Sequence, residues 1–210
     1  MFDIQIVPAA EPVARLILAH GAGAGMQSDF MQDMATRLAK HHVEVVLFNF
    51  PYMQTMIKTG KRRPPEKADK LQSHYIALKQ YVDETRAALP TFIGGKSMGG
   101  RMATLVADTL DVRGVVVFGY PFHPPGKPEK TRVDHLKAIT TPVCIIQGER
   151  DTFGNKDDIR EYDLGVQVNC HLLEDGDHSL KPRKASGISY ETHLTTARDI
   201  AVAFINKRRH

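Results

Sequence analysis

The stretch "IGGKSMGG", residues 93–100, restricts what this chain can fold into more than any other. It fits two local structures. Gly95-Lys96-Ser97 matches the end of a phosphate-binding loop, G-x-x-x-x-G-K-[ST]. The first glycine of that loop would fall at position 90, which is Pro90, and Thr91-Phe92-Ile93-Gly94 reads as strand where a phosphate cradle needs a loop. The next apolar run, "VVVFG", ends without the acidic residue that usually holds magnesium. The other match is G-x-S-x-G, Gly95-Lys96-Ser97-Met98-Gly99, between a strand at 91–94 and a helix at 98–109. A strand-turn-helix of that kind holds its serine at positive φ and brings its flanks together, so the positions two before and two after must be small. They are Gly95 and Gly99, with Gly100 beside them for close helix–sheet packing.

The rest of the chain alternates strand and helix. Phe2–Val7 and Val13–Ala19 read as strands, and Phe30, Met31, Met34 and Leu38 mark a helix over 28–40. "VEVVLFNF" (43–50) is a strand stopped by Pro51, and 51–67 reads as loop because of Pro64 and Pro65. Leu71, Tyr75, Leu78, Val82, Thr85 and Leu89 line one face of a long helix ending before Pro90. "RGVVVFG" (113–119) and "PVCIIQG" (142–148) are continuous apolar runs, as expected of strands covered on both faces. A short helix at about 133–138, another at about 155–163, a strand at 166–173 and a closing helix through Leu194, Ala197, Ala201, Phe204 and Ile205 complete the order. The fold class is α/β, a mostly parallel sheet with helices on both faces, in one domain over 1–210. Residues 120–141 leave no room for a separate lid domain. Ligands of such sheets bind beyond the carboxyl ends of the strands.

A serine hydroxyl needs a base to take its proton and an acid to orient that base. In a strand-turn-helix setting the expected order is serine, acid, histidine. "CIIQGERD" supplies Asp151 just after a strand, with Glu149 as the second choice and a turn or helix cap as the plain alternative for Asp151. Of ten histidines, His178 alone falls in the loop between last strand and last helix. His171 lies inside a strand, His193 begins a helix, His123 and His135 precede the acid, and His41, His42, His74 and His210 read as exposed. Asp175 and Asp177 are expected to shape the loop around His178. The oxyanion donors expected are the backbone N–H of Met98 and, from "HGAGAG" (20–25), that of Ala22 or Gly23. G-x-G-x-x-G fails there in both frames, at Met26 and Ser28, so no dinucleotide loop is expected. His20 is either a polar contact near the site or a brace for the loop.

These motifs, "HGAGAG", "GGKSMGG", "GERD" and "GDHS" in order, resemble the α/β-hydrolase superfamily. "FGYPFHPPGKPEKTR", "QGERDTFG" and "DHSLKPRK" look like a group of small lidless members that includes bacterial predicted hydrolases, a vertebrate testis-expressed protein and a chromatin acetyltransferase-complex subunit. The chain is also similar to dienelactone hydrolases, whose nucleophile is cysteine where Ser97 stands here. The resemblance implies Ser97 as nucleophile, Asp151 as acid and His178 as base, with no cofactor and no metal. The expected activity is cleavage of a small acyl ester or thioester through an acyl-enzyme. The alternative is a non-catalytic protein-interaction module on the same fold, which the chromatin-linked relative brings to mind.

Composition removes other classes. The absence of a long apolar run excludes a membrane span, and "MFDIQIVPAAEPVAR" lacks the basic start and apolar core of a signal peptide. Cys144 and Cys170, in apolar strand-like runs, read as reduced core thiols of a cytoplasmic protein. Lys plus Arg, 28, against Asp plus Glu, 24, leaves +4, and the basic segments lack interleaved aromatics, which argues against a nucleic-acid partner. The cations do cluster: Lys58, Lys61, Arg62, Arg63 and Lys67 in one loop, Lys127, Lys130 and Arg132 in a second, Lys181, Arg183 and Lys184 in a third. All three loops are expected to leave the sheet at the catalytic end. Arg63, Lys127, Arg132 and Lys181 are therefore candidate contacts for an anionic substrate, against the plain alternative of a solvated surface.

Overall fold

The chain alternates apolar strand and amphipathic helix, and a computed structural model describing residues 2–210 shows how they assemble. The strands are β1 (Ile4–Val7), β2 (Ala14–Ala19), β3 (Val43–Phe48), β4 (Thr91–Lys96), β5 (Val115–Phe118), β6 (Val143–Gly148) and β7 (Val168–Leu173). They form one seven-stranded sheet in the order β1-β3-β2-β4-β5-β6-β7. Only β1 runs antiparallel to its neighbour, β3; β2 through β7 are parallel. The helices are α1 (Asp29–Ala39), α2 (Pro51–Thr59), α3 (Ala68–Thr85), α4 (Met98–Val106), α5 (Asp134–Ala138), α6 (Lys156–Glu161) and α7 (Tyr190–Arg208).

The period of two along each strand divides the core. Ile17, Val46, Ile93, Val117 and Ile145 face α3 and α4, whose Leu71, Tyr75, Leu78, Met102 and Val106 cover them. Leu16, Val45, Phe92, Val116 and Ile146 point the other way, onto Met34 and Leu38 of α1 and Leu194, Ala201 and Ile205 of α7. Strands covered on both faces need apolar side chains at every position, hence the uninterrupted runs. Between β5 and β6 the chain makes only a loop and the single short helix α5. Among the described residues no helix is long and apolar enough to cross a membrane.

Three expectations are corrected. Residues 51–59, read as loop, form α2. Pro51 occupies the first turn, where its missing N–H is no loss, and Gly60 closes the helix at φ 66° with its N–H donated to Met56 O at 2.8 Å. Leu89 lies beyond α3, because Arg86 turns extended and ends the helix. Cys170 is only partly buried, since β7 is an edge strand, and Cys144 is fully enclosed; burial pushes both thiols up to about 12. Both thiols are unbridged.

Gly60 has open space where a side chain would go, so Gly60→Ala adds only the left-handed strain. It is expected to lower stability by about 1 kcal/mol in urea unfolding; no loss would mean that α2 does not depend on this cap.

Candidate active site

The carboxyl ends of β2, β4, β5 and β6 and the loop after β7 converge on Ser97. This residue caps α4 at φ 50° and ψ −116°, with its N–H donated to Phe118 O at 3.0 Å. A Cβ built on Gly95 would lie 2.5 Å from Gly100 N, and one on Gly99 2.5 Å from both Ala19 O and His20 O. The turn closes only because neither residue has a side chain.

Ser97 Oγ lies 2.8 Å from His178 Nε2, and His178 Nδ1 lies 2.8 Å from Asp151 Oδ2. Asp151 is fully buried and accepts two further hydrogen bonds, from Gln147 Nε2 at 2.8 Å and Phe153 N at 2.8 Å. With the carboxylate acting as acceptor throughout, His178 carries its proton on Nδ1, and Nε2 is left to accept from the serine hydroxyl. The Phe153 ring stacks on His178 with centroids 4.2 Å apart.

Neighbouring groups fix the histidine loop. Asp175 binds Arg150 and Arg183, and Asp177 Oδ1 accepts from Ser179 N at 2.7 Å and Lys181 N at 3.0 Å. His193 Nδ1 donates to Leu180 O at 2.7 Å, tying the loop to α7. Glu149, the second-choice acid, accepts from Asp175 N at 3.3 Å and faces Lys156 instead of the imidazole.

The loop after β2 packs on the same spot. A Cβ on Gly21 would be 3.7 Å from Ser97 Cβ. The loop is braced through its carbonyls: His20 Nδ1 donates to Gly21 O at 2.6 Å and the Tyr52 hydroxyl donates to Ala22 O at 2.9 Å. The N–H groups of Ala22, Gly23 and Met98 have no partner among the described residues. His20 accepts from Phe50 N at 3.1 Å through Nε2, so both ring nitrogens are engaged with backbone. It is also fully enclosed, and burial pulls its pKa down to about 4, with His74 lowering it further. The expectation of His20 as a substrate contact is corrected: it is a neutral brace. His74, expected exposed, is half-buried against Phe2, Phe48 and Phe50, with centroids 5.2, 5.9 and 5.9 Å away.

The basic loops separate. Arg62 and Arg63 join Ala22, Gly23, Met56 and Pro64 around a depression of about 380 Å³. Lys127 and Lys181 are exposed, and their side chains make no hydrogen bond or ion pair among the described residues. Arg132 is partly buried beside Tyr120, whose hydroxyl donates to Arg132 O at 2.8 Å. Another depression, of about 440 Å³, lies at the opposite end of the sheet around Arg15, Lys79 and Thr91. Three of its cations are paired locally: Arg15 and Arg86 bind Glu44 at 2.6 and 2.9 Å, and Lys79 binds Asp83 at 2.5 Å.

Gln147 and Lys96 are the site residues that motif reasoning passed over. Gln147 accepts from Tyr120 N at 2.7 Å and donates to Asp151, Gly154 O and Tyr120 O, joining the end of β5 to the acid loop. Its signal was a polar side chain inside an apolar strand. The Lys96 ammonium donates to His178 O and sits 5.6 Å from the centroid of Phe30. Burial pulls its pKa down to about 8, against the opposing pull of Asp151 and Asp177.

The chain belongs to the α/β-hydrolase domain family, whose model matches residues 12–206. Solved structures similar to it include an α/β serine hydrolase homologue from Coxiella burnetii, at 15% identity and TM-score 0.72, covering 95% of this chain and 89% of that one. A Xanthomonas campestris protein described as an α/β serine hydrolase without lid aligns at 18% identity and TM-score 0.73, covering 97% and 88%. Dienelactone hydrolase from Anabaena variabilis aligns at 18% identity and TM-score 0.72, covering 99% and 92%.

Lys96 titrates near pH 8 in the native state and near its ordinary 10.5 when unfolded. Between those values the unfolded chain holds more protons, so this group makes stability rise with pH. Wild type is therefore expected to gain about 1–3 kcal/mol relative to Lys96→Met between pH 7 and pH 10.5 in urea unfolding. A difference that stays constant with pH would show the amine to be ordinary.

Proposed function

We propose that this protein is a serine hydrolase that cleaves small acyl esters or thioesters through an acyl-enzyme. The observation that carries the reading is the unbroken Ser97–His178–Asp151 chain, 2.8 Å at each link, ending at a strained and partly exposed serine. Ser97 Oγ attacks the substrate carbonyl carbon while His178 Nε2 takes its proton. Asp151 keeps the proton on Nδ1 and stabilises the imidazolium. The carbonyl oxygen, now negative, is held by the N–H groups of Met98 and of Ala22 or Gly23. Collapse of the intermediate breaks the bond to the leaving group, which departs with the proton from Nε2. Water, deprotonated by the same nitrogen, then releases the acid and restores Ser97.

The family and the serine hydrolase and dienelactone hydrolase names among the similar structures agree with this chemistry. A pure interaction module would have no use for a buried aspartate aligned on a histidine aligned on a strained serine. The absence of a lid suits a small or flexibly presented acyl group, and the Arg62–Arg63 flank of the depression beside Ala22 gives an anionic substrate a favourable approach.

Wild type is expected to react with a fluorophosphonate probe, and Ser97→Ala to abolish the label. Asp151→Asn should reduce kcat on a 4-nitrophenyl ester by about 10³–10⁴-fold, because the imidazole loses its tautomeric anchor. Gln147→Leu should cost about tenfold or more while leaving the label detectable, since the carboxylate keeps two of its three donors. Folded wild-type protein that takes no label would overturn the hydrolase reading and leave the interaction module standing.

A further inference from the structure

Arg101 begins the second turn of α4, its N–H donated to Ser97 O at 3.0 Å. Helical side chains lean toward the N-terminus of their helix, which for α4 is the end that carries Ser97. Its Nε is fully enclosed and has no hydrogen-bond partner. Arg132, on the loop after β5, is linked to Arg101 by a short chain of contacts: the Tyr120 hydroxyl donates to Arg132 O at 2.8 Å and lies 3.5 Å from His135 Nε2, and Thr104 Oγ1, 2.9 Å from that nitrogen, donates to Arg101 O at 2.8 Å. The Arg132 guanidinium's one contact is Pro121 O at 3.5 Å, the outer limit of a hydrogen bond. Neither arginine is paired with a carboxylate among the described residues. The two charges act on each other: burial lowers the Arg132 pKa first, and Arg101 lowers it further.

The groups between them do not supply the missing charge. Tyr120 is fully enclosed and spends its hydroxyl proton on Arg132 O. Burial pulls His135 down to about 4, Arg101 adding to the effect, so it is neutral at pH 7. Its Nε2 lies 2.9 Å from Thr104 Oγ1. The nearest acid in sequence, Asp134, is exposed. Two guanidinium groups brought together without an anion cost the fold free energy, and a planar oxyanion is what two such forks match. The cluster is also coupled to the reacting groups. Tyr120 N donates to Gln147, which holds Asp151, and a Cβ on the preceding Gly119 would be 2.8 Å from His178 O.

We propose that Arg101 and Arg132 form a carboxylate-binding subsite beside Ser97, so that the preferred substrate is an ester or thioester of a short dicarboxylic acid whose free carboxylate they hold. The assignment rests on the hydrolase reading for the scissile bond, but the binding of the carboxylate does not. The exposed lysines of the rim are not part of the subsite.

The test compares the 4-nitrophenyl monoester of glutaric acid with 4-nitrophenyl pentanoate, each corrected for spontaneous hydrolysis. Wild type is expected to show kcat/KM at least tenfold higher for the acidic ester. Arg101→Gln and Arg132→Gln should each shrink that ratio about tenfold, mainly through KM, with a thermal midpoint no lower than that of wild type as the check of folding. Calorimetric titration of glutarate into wild type, which requires no turnover, should show binding that Arg101→Gln weakens at least tenfold. Equal kcat/KM for the two esters, with no glutarate binding, overturns the subsite while leaving the hydrolase intact. Glutarate binding that depends on Arg101 in a protein that cleaves neither ester and takes no fluorophosphonate label upholds the subsite and overturns the hydrolase.

Discussion

The backbone of Ser97 is the constraint on which the site depends. A serine at φ 50° occupies a region that costs of order 1–3 kcal/mol, and it persists only where the surroundings leave no alternative. Here the surroundings are the sheet itself. Ala19 O and His20 O press on Gly99 from β2, and Ser97 N is donated to Phe118 O of β5. The serine is thus clamped between the two strands that flank its own, and each of those strands continues into a loop of the site. The loop after β2 brings the free N–H groups of Ala22 and Gly23, and the loop after β5 brings Tyr120 and Arg132.

The histidine must be held by other means, because it arrives on a loop after an edge strand. Its loop is fastened by four contacts from three elements: Lys96 at the end of β4 donates to the His178 carbonyl, Asp151 in the loop after β6 accepts from Nδ1 while Phe153 of that loop stacks on the ring, and His193 of α7 donates to the carbonyl of Leu180. Gly119, at φ 68°, lets the end of β5 pass against His178 O. A lid would ordinarily help order and enclose such a site; here cross-links within the loop ends do so. Lys96 accepts a desolvated charge to make one of them, which shows up as its lowered pKa.

The parts legible in the sequence were those fixed by local stereochemistry. The strand-turn-helix around Ser97 announces itself through Gly95 and Gly99, because a turn that tight forbids side chains whatever the rest of the fold. The alternation of apolar runs and helical stripes announced the parallel sheet. From sheet order alone, Asp151 and His178 fell in the loops that the structure places around Ser97. What escaped depended on which loops meet in space. Gln147 looks like the last residue of a strand until β5 and the acid loop are seen to share it. Lys96 looked like a variable residue of the motif because its partner is 82 positions away. Pro51 is ambiguous by nature: the residue that ends β3 is also a good first residue for α2, and only packing of Tyr52 and Met53 decides.

Burial grades along the reacting chain, and the grading follows from charge. Asp151 is the fully charged member and the most deeply enclosed, at 0% exposure, which is tolerable because three donors replace its water. His178 and Ser97 are only partly covered, which leaves room for a carbonyl to reach Oγ. Low-dielectric surroundings strengthen whatever interactions are complete and penalise those that are not. By that rule the acid is finished in the free protein. The unpaired N–H groups of Ala22, Gly23 and Met98, and the unpaired Nε of Arg101, are not. An enzyme complementary to its transition state should look this way: satisfied where it orients its own groups, unsatisfied where substrate charge belongs. The oxyanion donors wait for charge that exists only during reaction. The arginines wait for charge that the substrate carries in with it, and so bear on which substrate is chosen.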